Sequence, residues 1–254
     1  MLEKIYIKDN MEKFKSDFIN FTNKIKSGEN FAYARYADGE VLLMRGASIG
    51  QNSQAYQVDK WNAPNHMTQV GIKLLESLKH TEDNYYYAIA SDDINDHNYL
   101  MERIFVKKSN ITFANLWINS NYQMMKEFYN SFEKSAYVIC NENASVNGFP
   151  FKVNEIIPFP INCVEYWETY GDSYENELKK YVKQFNDQTI FVSAGPVSEI
   201  LIDIMYKSNP NNQYIDVGSS MDEFVHGRKT RPYMNSDSEY SKEISSFPEK
   251  FFYE

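Results

Sequence analysis

Cysteine is scarce in this chain: Cys140 and Cys163 are the two thiols in 254 residues. Two thiols without metal-ligand spacing exclude a disulfide framework and a Cys-based zinc site. A basic surplus is also missing. The formal charge is −9, which argues against a general polyanion binder, and no nucleic-acid partner is expected. There is no apolar run near 18 residues and no apolar core behind Met1-Leu-Glu-Lys4, so neither a membrane-spanning helix nor a signal peptide is expected and the expected location is cytoplasmic. Gly-x-Ser-x-Gly, Walker-type and Gly-x-Gly-x-x-Gly motifs are absent, which leaves serine-hydrolase, P-loop and ordinary dinucleotide chemistry without support. His66, His80, His97 and His226 show no ligand spacing and read as surface or loop residues. No repeat, low-complexity tract or linker breaks the chain.

What the chain has is length for a full core, 43% hydrophobic residues, and 20 tyrosines with 17 phenylalanines, which serve mostly packing. Helical and strand-like segments alternate. Helices are expected over 11–26, from 40 to 44, and over 71–79, 99–106, 122–132, 174–185 and 197–206. Strands are expected over 31–36, 85–90, 111–118, 136–140, 156–159, 189–195 and 214–218. Residues 48–68 read as loop. Thr189–Gly195, the helix after Pro196 and Tyr214–Gly218 form a βαβ unit, so a mostly parallel sheet with helices on both faces is expected: an α/β, Rossmann-like fold in one domain. Its expected extent is residues 1–231, with 232–254 as a tail packed on or near it.

The segment richest in chemistry is Phe31-Ala-Tyr-Ala-Arg-Tyr-Ala-Asp-Gly-Glu40. An apolar strand empties into a permanent cation, Arg35, and two carboxylates separated by Gly39, at the strand end where open α/β sheets place ligands. Arginine suits phosphate, and Asp38 with Glu40 can hold Mg²⁺ or Mn²⁺ through oxygen. The structural alternative is a helix start, with Asp38 capping and Glu40 favoured by the dipole. Ser193-Ala-Gly-Pro196 can present N–H groups to phosphate, and Asp216 either contacts a ribose hydroxyl or ends its strand. Asp92 and Asp93 read as a turn or a sugar contact. Asn115, Asn119 and Asn121 suit sugar hydroxyls. Val225-His-Gly-Arg-Lys-Thr-Arg231 is a local basic patch, fit for a diphosphate, an acidic acceptor or solvent.

Ala34-Arg-Tyr-Ala-Asp-Gly-Glu40, the later Ser-Ala-Gly-Pro turn, the Ile-Asp-Val-Gly strand and Phe113-Ala-Asn115 together resemble the GT-D glycosyltransferases, a bacterial domain family first catalogued as of unknown function. The likeness runs from about residue 12 to residue 230 and departs at Ala37, where the family usually carries glycine. The resemblance implies a Rossmann-like domain that transfers a hexose, typically glucose from UDP-glucose, to a glycan or glycoprotein acceptor with Mn²⁺ (or Mg²⁺). Asp38 and Glu40 would be the metal pair and, with Arg35, the catalytic set. Arg35, Tyr36, Gly39, Ser193, Gly195, Pro196 and Asp216 would bind the donor. An inverting reaction would need a base, for which Asp92, Asp93, Asp222 and Glu223 are candidates. A non-catalytic nucleotide-sugar binder, or another glycan-modifying enzyme such as a pyruvyl or phosphoryl transferase, is the alternative.

Overall fold

The structure is a computed structural model that describes residues 11–47, 66–90 and 93–237. Its first helix, α1 (Met11–Ser27), follows from Phe14, Phe18, Phe21 and Ile25, which recur at helical spacing and are all buried. Lys24 and Lys26 favour its negative end. Gly28, at φ 83°, then reverses the chain. Strand β1 (Phe31–Tyr36) leads directly into α2 (Asp38–Met44). There follow α3 (Gln69–Ser77), β2 (Tyr85–Ile89), α4 (Ile94–Met101), β3 (Ile111–Phe113), α5 (Tyr122–Asn130), β4 (Ala136–Asn141) and β5 (Val153–Phe159). The chain continues through α6 (Cys163–Val182), β6 (Thr189–Val192), α7 (Ser198–Ser208), β7 (Gln213–Asp216) and α8 (Asp222–His226).

The seven strands form one sheet in the order β3-β2-β1-β7-β6-β4-β5, every pair parallel. Side chains alternate between its faces with the strand period of two. On β1, Ala32, Ala34 and Tyr36 join the core formed with α2, α3, α4, α6 and α7, whereas Phe31 and Tyr33 join the core under α1 and α5. The expected α/β fold with helices on both faces is what the chain adopts. The βαβ unit is β6-α7-β7, with Thr189 paired to Gln213.

Of the element boundaries that differ from expectation, four have a clear local reason. The apolar run 111–118 is strand only to Phe113, because Leu116 N and Ile118 N turn back onto Phe113 O and Asn115 O, and Leu116 and Trp117 are buried as core turn residues. Helix α4 starts at Ile94 rather than residue 99, because the Asp93 carboxylate accepts from the N–H groups of Asn95 and Asp96. Helix α6 starts at Cys163, well before residue 174; charged residues interrupt its aromatic face of Tyr166, Trp167 and Tyr174. The edge strand β5 begins at Val153, before residue 156, because its backbone pairs with Ala136 and Tyr137 of β4, whereas the exposed Asn154 and Glu155 break its apolar pattern.

Two histidines are core residues rather than surface ones. His80 lies between Glu82 (3.0 Å) and Asp203 (2.7 Å) and stacks on Tyr85. His97 Nδ1 meets Ala90 O at 3.0 Å, and burial lowers its pKa. Cys140 is a buried thiol pushed by burial up to about 12, as its apolar run suggests. No helix among the described residues is long and apolar enough to cross a membrane. Most of the 48–68 loop, Asp92 and residues 238–254 lie outside the described residues.

Candidate active site

In the sheet order, β1 and β7 are neighbours although Phe31 and Gln213 are far apart in sequence. The chain builds outward from β1 to β3 and later returns to place β7 beside β1. This is the kind of switch point at which parallel sheets bind ligands, beyond the carboxyl ends of the strands. A cavity of about 520 Å³ opens there. Arg35, Asp38, Gly39 and Glu40 border it from the β1–α2 junction, and Ser193 to Pro196 from the β6–α7 turn. Asn115, Asn119, Asn141, Gly218, Asp222, His226, Arg231 and Tyr233 close it from elsewhere.

Arg35 is the centre of the floor. Its Nε lies 3.6 Å from Asp216 Oδ2 and has no hydrogen-bond partner among the described residues. Its guanidinium rests on Gly218: a Cβ built there would stand 2.6 Å from Nη2 and 2.7 Å from Cζ. Gly218 adopts φ 50°, a conformation glycine takes without penalty. Asp216 Oδ1 accepts from Gly218 N at 2.7 Å, and Ser193 Oγ donates to Gly218 O at 3.0 Å. The ends of β6 and β7 therefore lock the platform on which Arg35 lies.

Two more carboxylates lie behind this cation. Glu40 is 6% exposed and Glu199 is 1% exposed. Burial pushes Glu40 up to about 7, against the opposing pull of Arg35 and the Ala37 N–H. Burial, with Glu40 and Asp216 nearby, drives Glu199 well above the carboxylate range. Among the described residues, Glu199 Oε2 has no hydrogen-bond partner. Burial alone would lower the Arg35 pKa, but Asp216, Glu40 and Glu199 outweigh it and raise it. Glu199 escaped the sequence reading. The available signal was an acidic residue inside the apolar run Val197–Tyr206, a helix buried on every side.

The α2 start corrects the helix-start reading of Asp38-Gly-Glu40. The N-cap is Ala37, not Asp38, and Glu40 Oε2 reaches back to accept from Ala37 N at 2.7 Å. Ala37 has φ −113° and ψ −161°, extended backbone that any residue adopts, so alanine in place of glycine strains nothing here. Asp38 is exposed and Glu40 buried. Residues two apart on a helix diverge by roughly 200°. Among the described residues no group of three His, Cys, Asp or Glu side chains could hold a metal ion. Asp38, the exposed carboxylate of the pair, fits a divalent ion only as one ligand shared with substrate oxygens, the manner in which Mg²⁺ is commonly bound.

Other expected residues separate clearly. Tyr36 is not at the cavity: it is fully buried, and its hydroxyl meets Ser77 Oγ at 2.7 Å in the core. Strand alternation sends it to the opposite face from Arg35. Asp216 does not border the cavity either; 1% exposed, it ends β7 and anchors Gly218 and Arg35. Pro196 precedes the helix by two residues, in a turn where Ser198 N donates to Gly195 O and Ala194 N donates to Ser198 Oγ. Of the candidate bases, Asp93 caps α4, and Glu223 accepts from Tyr122 and Lys126. Asp222 borders the cavity, where it accepts from Thr230 Oγ1 and lies 3.7 Å from Arg231 Nη1. Within the basic patch, His226 and Arg231 border the cavity and Arg228 and Lys229 are exposed. Asn121 donates to Leu116 O and holds the turn after β3. Asn141, at the end of β4, was not foreseen.

No family model matches the chain, and no curated protein sequence matches it. Solved structures do. A selenomethionine-substituted domain of unknown function 1792 superposes with a TM-score of 0.51 at 14% identity, covering 83% of this chain and 80% of that one. A structure described as showing that this highly conserved domain has a distinct glycosyltransferase fold gives 0.47 at 14% identity, with the same coverage. One described as a new glycosyltransferase of the same domain, from Streptococcus sanguinis, gives 0.49 at 11% identity, covering 85% of this chain and 83% of its own. The chain has the fold of domain of unknown function 1792, and the likeness to GT-D proteins drawn from its motifs is borne out at the level of fold.

Proposed function

We propose that this chain is a glycosyltransferase that moves a hexose from a UDP-sugar, with UDP-glucose the first donor to test, to a glycan or glycoprotein acceptor. The observation that carries the reading is the cavity at the β1–β7 switch point, with Arg35 seated on Gly218 at its floor and the carboxylates of Asp38 and Asp222 on its walls. Its volume, about 520 Å³, lies in the range of small-ligand sites. The GT-D resemblance of the motifs and the shared fold agree with it.

The floor's charge favours a divalent ion. Arg35 is already balanced by Asp216, and Glu40 and Glu199 add no positive charge. A diphosphate would bring further negative charge to a floor whose cation, Arg35, is already paired. Mn²⁺ or Mg²⁺ held between Asp38 and the donor's diphosphate would offset that charge and stabilise the leaving nucleoside diphosphate. Arg35 orients the diphosphate through its planar fork. Asp222 is the group suited to take the proton of an attacking acceptor hydroxyl, because it alone of the described candidates borders the cavity.

The test is thermal unfolding of the full chain with UDP-, GDP- and CMP-sugars, each with Mn²⁺ or EDTA, alongside an Asp38→Ala variant and a donor-hydrolysis assay. A ligand at about a hundred times its Kd stabilises a fold by about 2.7 kcal/mol. The expected result is a rise with a UDP-sugar that vanishes with EDTA and in the variant, accompanied by release of UDP. Silence toward every nucleotide sugar refutes the proposal. Binding without UDP release would make the chain a non-catalytic binder.

A further inference from the structure

We infer that Asn115 and Asn119 form the subsite for the hydroxyls of the donor's sugar ring, and that these amides set donor-sugar selectivity. The inference rests on the glycosyltransferase reading and adds a location for the sugar.

The three asparagines reach the cavity from different parts of the fold. Asn115 and Asn119 follow β3, and Asn141 ends β4. Asn115 is 7% exposed and Asn141 8% exposed, so both amides are withdrawn from bulk water yet border the cavity. The Asn141 Oδ1 is used, accepting from Asn143 N at 2.9 Å and Asn143 Nδ2 at 3.1 Å. Among the described residues, the side chains of Asn115 and Asn119 make no hydrogen bond. Neither amide is among the fully buried polar groups without a partner, so both are open to the cavity they border and are satisfied by what fills it.

The chemistry of the occupant follows from the chemistry of the amides. They carry no charge, so they do not select phosphate, which this cavity meets with Arg35. Each amide offers both a donor and an acceptor, which matches a hydroxyl, itself both. Two such groups, four residues apart in one turn after β3, match adjacent hydroxyls of a pyranose. Backbone geometry fixes one of them: Asn119 holds φ 52°, a conformation asparagine tolerates better than most residues, and the turn behind it is tied by Asn121 Nδ2 to Leu116 O at 2.9 Å. The burial of Asn115 assigns the subsite to the donor sugar rather than to the acceptor. A glycan or glycoprotein has to approach from solvent, across the exposed rim at His226.

The experiment is calorimetric titration of the full chain in Mn²⁺ with UDP, UDP-glucose and UDP-galactose, for the wild type, Asn115→Ala and Asn119→Gly. Glycine keeps the φ of position 119 and removes only the amide, so this variant retains the fold if Asn115→Ala does not. Loss of one neutral hydrogen bond should weaken UDP-sugar binding about two- to tenfold, with UDP binding unchanged and a smaller gap between the two sugars. Equal weakening of UDP and UDP-sugar in Asn119→Gly would place the nucleotide at these amides and overturn the inference. Unchanged affinity for all three ligands would overturn it as well. A wild-type chain that binds UDP-sugars while the variants behave normally leaves the glycosyltransferase reading standing. A wild-type chain that binds no nucleotide ligand removes both.

Discussion

Neutralising Glu40 should make the protein more stable at alkaline pH and leave it nearly unchanged at acidic pH. Glu40 is 6% exposed, and burial raises its carboxyl from 4.5 to about 7 despite Arg35 and the Ala37 N–H. The folded chain therefore holds this proton more tightly than the unfolded chain does. Its stabilising contribution is fully present below pH 4.5, fades between 4.5 and about 7, and is gone above. At ~1.4 kcal/mol per pH unit, that window corresponds to about 3 kcal/mol. Glu199, also raised by burial and by Glu40 and Asp216, works in the same direction, so the wild type should lose stability steadily from pH 5 to pH 8.

Glu40→Gln isolates the Glu40 share. Glutamine keeps an oxygen able to accept from the Ala37 N–H and cannot ionise. Urea unfolding at constant ionic strength should show the variant within about 1 kcal/mol of wild type at pH 5 and more stable by about 2–3 kcal/mol at pH 8. Groups facing position 40 are Arg35, Asp38, Asp216 and Glu199, and they are common to both chains. A stability difference that stays flat across this range would refute the argument. So would a variant less stable than wild type at pH 8, since that would mean ionised Glu40 is needed to hold Arg35.

Gly218→Ala should lower stability by about 1–2 kcal/mol from the left-handed backbone alone, and should weaken donor binding further, because the new Cβ would displace the guanidinium 2.6 Å away; wild-type Kd and Tm together would contradict this. Asp222→Asn should cut turnover by at least about a hundredfold with little change in donor Kd, whereas Asp93→Ala should cost about 1 kcal/mol of stability through the lost α4 cap and leave turnover intact. Tyr36→Phe should cost about 1 kcal/mol by removing the hydroxyl that meets Ser77, and should leave UDP-sugar binding unaltered in calorimetry.

The parts of this protein legible in its sequence are those governed by local periodicity. The apolar strand that runs into Arg35, the helix face of Phe14, Phe18, Phe21 and Ile25, and the β6-α7-β7 unit each follow from residue spacing within one segment. Asp38, Gly39, Ser193 and Gly195 were foreseen because strand ends in such sheets converge on ligands, and all four border the cavity. Tyr36 was misread because adjacency in sequence is not adjacency on a strand: it shares a segment with Arg35 and points into the other core. Glu199 and Asn141 were missed because only the sheet order, with β4 beside β6 and β7 beside β1, brings them near Arg35. Strand order is a property of crossovers and is not written in any one segment.

That order also decides which member of the Arg35–Asp216 pair matters more. Arg35 comes from β1 and Asp216 from β7, so the pair forms only when β7 is in place between β1 and β6. In an isolated buried pair, removal of either partner strands the other and costs about 3–5 kcal/mol. Here the partners are unequal: one cation faces Asp216, Glu40 and Glu199. Asp216→Asn leaves two carboxyls able to ionise against Arg35 and retains an oxygen for the Gly218 N–H, so it should cost about 1–2 kcal/mol. Arg35→Met removes the cation common to all three acids and should cost at least about 3 kcal/mol at pH 8. At pH 5, where Glu40 and Glu199 hold their protons, the loss should shrink to that of the Arg35–Asp216 pair alone. Urea unfolding of the two variants at both pH values checks this, and an Asp216→Asn loss equal to or larger than that of Arg35→Met at pH 8 would show that Glu40 and Glu199 do not share the Arg35 charge.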